Sequence, residues 1–491
     1  MAALTKSRTE RQILRRAVTS LLALALLASV LVPAAPADDI GTYSFEQVWW
    51  RTDLPVRDNQ ANRTWIWGPE PISSLLLEPY DEGHASGVDG ARWVQYFDKT
   101  RVEITRSDRD RDDSWYVTNG LLARELITGR MQLGDNRAME YEPAEINVAG
   151  DGNDPNSPTY RSLNQVRDAA PLPDHSLVTQ TINRDGSVGD NPDFGSYGVE
   201  TVTRTDATNR TIASVFWNFM NAEGTIYDGF DFVEGRLFQD PFYATGLPIT
   251  EPYWANVNVG GEPTDVLIQA FERRVLTYNP SNSDGWQVEA ANVGRHYYQW
   301  RYTDEGSQAL TTSEITTTRD LSDNLVFMGE VKNASRAAFA EVEVELTINN
   351  DAGEPIETFR TYLDSAMIEA GEALPFQIWT EYPGDYANYD VSVRSRPSHR
   401  FSRPDITVDA IHADWESNSR YEVEGVIRND AGYPVEYLQY VVALYDDAGN
   451  VVDYRWGMIE PATLEPGQET RFDTFFFEPD RFSEYRIFVS N

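Results

Sequence analysis

The feature that most constrains this chain is a self-match near its C-terminal end. Shifted by 96 residues, positions 325 to 393 fall on 421 to 489 without a gap. Gly329 meets Gly425, Asn333 meets Asn429, Gly353 meets Gly449, Gly371 meets Gly467, Phe376 meets Phe472 and Tyr389 meets Tyr485. A fixed period carried by glycines, turn residues and aromatics marks a tandem repeat in which each copy is one structural unit. Inside a copy the period is two. In "AEVEVELTIN" Ala340, Val342, Val344, Leu346 and Ile348 alternate with Glu341, Glu343, Glu345 and Thr347, the pattern of a strand with one buried face. "DAG" follows at 351–353 and again at 447–449 as a hairpin turn, and Pro466-Gly467 suits a type II turn. Short strands between such turns predict a Greek-key β-sandwich over 311–400 and a second over 405–491.

The motifs "GEVKN", "DAGEPIET" and "IEAGE" in the first copy, with "GVIRN", "VALYDDAGNVV" and "LEPGQ" in the second, resemble the FxLYD family of small bacterial β-sandwich domains. The second copy keeps Leu444, Tyr445 and Asp446, with Val442 at the Phe position; the first departs there, with Leu346, Ile348, Asn349 and Asn350. The resemblance implies extracellular spacer or interaction modules and brings no catalytic residues.

A more diverged duplication occupies 38–310. Gln95 and Phe97 recur as Gln269 and Phe271, and Trp115 and Val117 as Trp286 and Val288. "WGPEPISSLLLEPY" precedes the first copy and "TGLPITEPYW" the second. The units run over about 45–142 and 199–302. Each reads as a Gly/Pro-punctuated entry, a strand, a charged turn and further strands. The charged turns, Asp98 with Lys99 or Arg101 and Glu272 with Arg273 or Arg274, read as exposed hairpin corners whose ion pairs contribute ~0–1 kcal/mol each. Architecture, not a duplicated active site, is the expectation. The Gly-x-Pro-Ile opening, the "FERRVLTY" strand pair and the closing Trp-x-Val resemble the LGFP-type repeats of bacterial cell-surface proteins, and "QYFDK" and "VTNGLL" are similar to secreted proteins of filamentous green bacteria. The usual Gly of the repeat's tail is Ala291 here. The resemblance implies a place at the cell wall rather than a chemistry. Between the units, 143–198 is rich in Gly, Pro, Asn and Asp and reads as a long functional loop or a flexible linker. The expected fold is therefore mainly β: a duplicated β-rich N-terminal domain followed by two tandem Greek-key sandwiches.

Residues 1–37 read as a signal peptide. Lys6, Arg8, Arg11, Arg15 and Arg16 precede an apolar run from Ala17 to Val32, and "APA" at 35–37 fits a cleavage site. The run is shorter than the ~20 residues of a membrane span, and no second such run follows, so no membrane span is expected once the signal is removed. The net charge of -37 argues against nucleic acid and anionic membranes as partners, since both would repel it. With no cysteine, the fold is held by packing, and thiol chemistry and a lipidated Cys anchor are excluded. The C-terminal "RIFVSN" carries no sorting motif.

Catalytic signatures are missing. The five histidines are scattered without the spacing of a zinc site, and there is no G-x-S-x-G elbow, P-loop or dinucleotide fingerprint. "DRDRDD" at 108–113 lacks the Gly and Glu of a calcium loop. "DGNDPN" offers Asp151, Asn153 and Asp154, either a calcium site or a plain polar loop; no other cofactor is implied. Among 78 acids a glycosidase pair of carboxylates has no sequence signature. Aromatics cluster at "VWW", "TWIWG", "PYW" and "HYYQWRY". Trp65, Trp67, Tyr253, Trp254, Trp286 and Trp300 are the candidates for a sugar-stacking surface, with core filling as the alternative use. The sequence thus predicts an exported, non-enzymatic, cell-surface protein that binds a cell-wall or surface glycan or an envelope protein. An envelope glycan hydrolase and a self-assembling surface-layer protein are the other readings.

Overall fold

A computed structural model describes residues 41–303, 309–417 and 419–490; the signal-peptide stretch lies outside them. The architecture is mainly β, and among the described residues no helix is long and apolar enough to cross a membrane.

The N-terminal duplication is a pair of four-stranded antiparallel meanders, each followed by a helix. The first runs Leu76–Ala85, Val88–Phe97, Thr100–Ile104 and Thr118–Asn119, then the helix Leu122–Thr128. The second runs Tyr253–Val259, Glu262–Ala270, Val275–Tyr278 and Val288–Ala290, then the helix Val293–Tyr302. The shared Pro-Ile-Ser/Thr entry does the same work twice. Pro71 bridges to Phe97 and Pro248 to Phe271. Ser73 Oγ accepts the Tyr96 amide at 3.1 Å, and Thr250 Oγ1 accepts the Ala270 amide at 3.0 Å. The buried Gln95 and Gln269 then tie each entry to its strand through backbone carbonyls. These polar bonds satisfy groups that the hydrophobic pattern alone would leave buried without partners.

The two units interlock. Each helix starts on the charged corner of the other unit: Arg124 N donates to Glu272 O at 2.9 Å, while Gly294 N and Arg295 N donate to Asp98 O at 3.0 and 3.1 Å. The corners are therefore docking points. Asp98 pairs with Arg295 at 2.6 Å rather than with its sequence neighbours. Arg101 and Arg274 are buried; Arg274 donates to Ile66 O at 2.6 Å with its guanidinium over the Trp67 ring. An exposed corner was expected because "FDKTR" and "FERR" read locally as hairpin turns; the partner unit is what covers them.

Residues 143–198 are built into this domain. They hold the helix Tyr160–Val166, opened by a Thr159/Ser162 capping box, and the strands Gln180–Ile182 and Val188–Asp190. Those strands extend the second meander to six, Thr181 pairing in parallel with Trp254. A stretch with no readable period is held in place by tertiary pairing, so it is neither a linker nor a free loop.

In the C-terminal half, equivalent strands begin 96 residues apart, as at Pro355 and Val451 or Ala373 and Glu469. Val342, Val344, Leu346 and Ile348 are buried, in keeping with their alternation. Asn333 and Asn429 each hold the same turn: their amides donate to Ala337 O and to Tyr433 O at 2.8 and 2.9 Å. The sandwiches are not separated like beads. Val326 and Met328 of the first share a buried cluster with Val441, Ala443, Tyr445 and Tyr454 of the second, and Tyr445 Oη donates to Glu330 at 2.8 Å. The first sandwich also grips the N-terminal domain, where Arg336 donates to Trp300 O at 2.7 Å and packs over its ring.

Candidate functional site

A cleft of about 300 Å³ opens on the N-terminal domain between the helix Tyr43–Thr52 and the segments 111–117 and 237–243. The helix is capped by Thr42 and buries Phe45, Trp49 and Thr52. Trp49 Nε1 donates to Gly68 O and Trp67 Nε1 to Val48 O. Behind them the buried Asp53 carboxylate accepts the Ile66, Trp67 and Gly68 amides at 2.9, 2.7 and 3.0 Å. Burial pushes the Asp53 carboxyl above the usual carboxylate range, against those three amides, which favour its charged form. It is a clamp on "TWIWG", not a reacting group.

The most exposed aromatic of the cleft is Trp115. In "DDSWY" the Asp113 side chain accepts the Trp115 amide at 2.9 Å, an Asx turn that sets the loop. The indole is 43% exposed. Tyr243 lies 5.4 Å from it and the Arg273 guanidinium 5.5 Å from its centroid. Tyr243 is itself fixed by donating to Val117 O at 2.8 Å and meets Trp67 edge-on at 6.3 Å. Around this platform stand Gln47, Asp112 and Gln239, all exposed. An apolar ring held rigid beside hydrogen-bonding groups that face water is suited to the face of a sugar and its hydroxyls.

Most of the aromatics singled out from the sequence lie elsewhere. Tyr253, Trp254 and Trp300 are core residues, and Trp67 is 2% exposed, showing only an edge to the cleft. Trp254 stacks on Phe194 at 4.9 Å and donates to Val178 O. Trp65 packs half-buried against the core, and Trp286 donates to Asn62 Oδ1 at 3.0 Å. Trp254 and Trp300 lose their apolar area to Phe194 and Arg336, so the buried members of the six offer a ligand no face. Trp115 and Tyr243 were missed as site residues; a Trp directly after the polar run "DRDRDDS" was the available signal.

The calcium expectation at Asp151, Asn153 and Asp154 is corrected. The Asp151 carboxylate accepts the Gly260 and Gly261 amides at 2.9 and 2.8 Å, and Asp154 accepts Asn258 N at 2.7 Å. Asn153 is exposed. Arg184 donates to Asp154 O and Ser157 O at 3.3 and 2.9 Å, so a guanidinium stands among the loop carbonyls that a cation would use. Among the described residues no cluster of three metal-ligating side chains occurs.

The densest charge lies inside the first meander. Glu78 accepts Tyr96 Oη, Tyr302 Oη and Arg101 at 2.5, 2.8 and 3.0 Å, with Arg301 at 3.2 Å. Glu103 holds Arg92 at 3.1 Å and Arg101. Desolvation pushes Glu78 up, but Arg101, Arg301 and Arg92 together outweigh it and bring the carboxyl down to about 2. With Glu78 and Arg101 fully buried, this network braces the fold and has no access for a ligand.

No family model and no curated protein matches the sequence. Among solved structures, red sea bream transglutaminase gives a TM-score of 0.14 at 13% identity, over 51% of this chain and 40% of that one. A variant of the Amycolatopsis orientalis exo-chitosanase in complex with PNP-β-D-glucosamine gives 0.12 at 14% identity, over 33% and 23%. A chitinase from Bacillus thuringiensis gives 0.12 at 10%, over 44% and 41%. The chain spans less than half of each of these proteins, and superpositions this loose transfer neither an activity nor a ligand to it.

Proposed function

We propose that this is an exported cell-surface protein whose N-terminal domain binds a surface glycan, without cleaving it, in the cleft at Trp115. The observation that carries the reading is the fixed, open indole of Trp115, backed by Tyr243 and Arg273 and bordered by Gln47, Asp112 and Gln239. A half-exposed indole forgoes stabilisation that full burial would give, and a sugar ring that covers it would recover that area. The sandwiches, packed on each other and on the N-terminal domain, hold that cleft at a set orientation.

Co-sedimentation of the full chain with purified cell-wall glycan tests this. The protein pellets with the glycan, no sugar is released into the supernatant, and Trp115→Ala weakens binding about tenfold or more, as truncating a central aromatic anchor does. Release of reducing sugar would replace binding with hydrolysis. Pelleting unaffected by Trp115→Ala would remove the cleft from the reading.

A further inference from the structure

A second and larger cleft, about 500 Å³, lies beside the C-terminal end of the helix Leu122–Thr128. Four of its lining residues are arginines, in a chain whose acids outnumber its bases 78 to 41. We infer that the cleft framed by Arg124, Arg130, Arg137 and Arg167 is a separate binding site for a carboxylate-bearing sugar. The inference does not rest on the Trp115 cleft.

Two of the arginines are held in place and two are loosely engaged. Arg137 grips Asp81 with two bonds, Nε at 2.7 Å, and Arg130 bonds Glu140 at 2.8 Å. Arg124 stands 3.9 Å from Glu272, and Arg167 reaches its neighbour Asp168 through two long contacts of 3.4 and 3.3 Å, with the arginine side chains 53% and 40% exposed. Contacts this long are worth less than the shorter pairs of Arg130 and Arg137, so Arg124 and Arg167 are available to a ligand carboxylate, whose shape the guanidinium fork matches.

The rest of the lining chooses among anions. Asn136 is exposed, and its amide makes no side-chain hydrogen bond among the described residues. Asp135 accepts Tyr80 Oη at 2.7 Å and adds acceptor capacity. Ile249 supplies an apolar patch. Amide, carboxylate and apolar groups complement sugar hydroxyls and a ring face, whereas a nearby carboxylate penalises the two charges that a phosphate concentrates on one group more than the single charge of one uronate ring. At the back lies Glu125, 3% exposed, with Oε1 accepting no hydrogen bond among the described residues. Burial raises its carboxyl, against the opposing pull of Arg101 and the Tyr297 hydroxyl. The ligand class that fits is a uronate residue of an acidic glycan.

Calorimetry of the full chain with trigalacturonate, its methyl ester and inorganic sulfate tests the assignment. Trigalacturonate binds; esterification and the double substitution Arg124→Ala/Arg167→Ala each weaken binding about tenfold or more, the scale of losing a charge-assisted bidentate contact. Arg394→Ala, which removes one exposed guanidinium from the first sandwich, leaves it unchanged, and thermal melts of both variants verify folding. Equal binding of acid and ester, or a double variant that binds as the parent does, overturns the site. Competition by sulfate as strong as by trigalacturonate overturns the sugar assignment.

Discussion

The two N-terminal units share a backbone plan but not an interior. Their registers superpose: Leu76 faces Val94 as Tyr253 faces Ile268, and Tyr96 faces Arg101 as Ala270 faces Val275. On that alignment Glu78, Arg92, Arg101 and Glu103 of the first unit stand where the second has Ala255, Val266, Val275 and Thr277. Glu125 on the first helix corresponds to His296 on the second. One meander is braced by buried ions and the other by aliphatic packing, so the fold does not dictate the means. What the shared plan does require is the Pro-Ile-Ser/Thr entry, the buried Gln and the reciprocal docking of each helix on the other's corner.

The ionic interior should be the fragile one. Glu78→Ala leaves three guanidinium groups facing a missing carboxylate, and removing one partner of a buried ion network costs about 3–5 kcal/mol. Denaturant unfolding measures it. Adding Arg101→Val, the second unit's residue, removes one orphaned cation. The double variant should therefore lose about 1–3 kcal/mol less than the two single losses added together. Strict additivity would mean that Glu78 and Arg101 are not coupled and that the comparison of interiors has no energetic content.

The docking of the helices differs in tightness. Gly294 sits so close to the first unit that a Cβ there would lie 2.0 Å from Phe97 O and 2.4 Å from Thr100 O. Both are backbone atoms of a sheet, so Gly294→Ala must displace the helix, at about 2–3 kcal/mol. At the equivalent place in the first helix stands the buried Ala123, where a Cβ is already accommodated, so Ala→Gly loses one buried methyl and helix propensity without displacing the helix, about 1–2 kcal/mol. A shift in melting temperature of similar size for both would refute the asymmetry.

Much of this plan was legible and its interior was not. The 96-residue repeat, the alternation in "AEVEVELTIN" and the recurrence of Gln-x-Phe are local or periodic signals, and they locate the strands. Nothing local says that Arg101 and Arg274 are buried, since a charged residue after a turn reads as exposed until its covering unit is known. The same holds for 143–198, whose strands are stabilised by pairing with Trp254's strand and not by their own composition. Tyr253, Trp254 and Trp300 were visible as aromatics, but whether a ring fills a core or faces a ligand is decided by which units pack on it. Trp115 stayed outside that packing, on a turn set by Asp113.

Acid titration separates the interiors by a smaller effect. Glu78 has a folded pKa below its unfolded one, so its contribution is present above the unfolded value and is lost as pH falls from about 5 to 2. Half-buried His296, lowered to about 4 chiefly by burial, is also depressed. Its contribution is complete above about 6.5 and disappears as pH falls toward 4, on the order of 1–3 kcal/mol. His296→Leu should flatten the stability curve between pH 6.5 and 4 and leave the steeper fall below pH 4 in place. A flattening confined to pH below 4 would assign the titration to the first unit instead.

The smallest effect is at the corners. Arg295 meets Asp98 through Nε and a terminal nitrogen at 3.0 and 2.6 Å, whereas Arg124 is 3.9 Å from Glu272. Both pairs are solvent-exposed on the arginine side, which limits either to ~1 kcal/mol. Asp98→Asn should therefore cost up to about 1 kcal/mol and Glu272→Gln a few tenths from the ion pair, both shrinking in 1 M salt where screening is strong. Glu272 has a second task, since its Oε2 also accepts the Leu247 amide at 3.1 Å. Glutamine keeps that acceptor while removing the charge, so Gln isolates the pair and Ala removes both. If Glu272→Ala is costlier than Glu272→Gln while Asp98→Asn and Asp98→Ala match, the second corner is held by its backbone acceptor and the first by its ion pair.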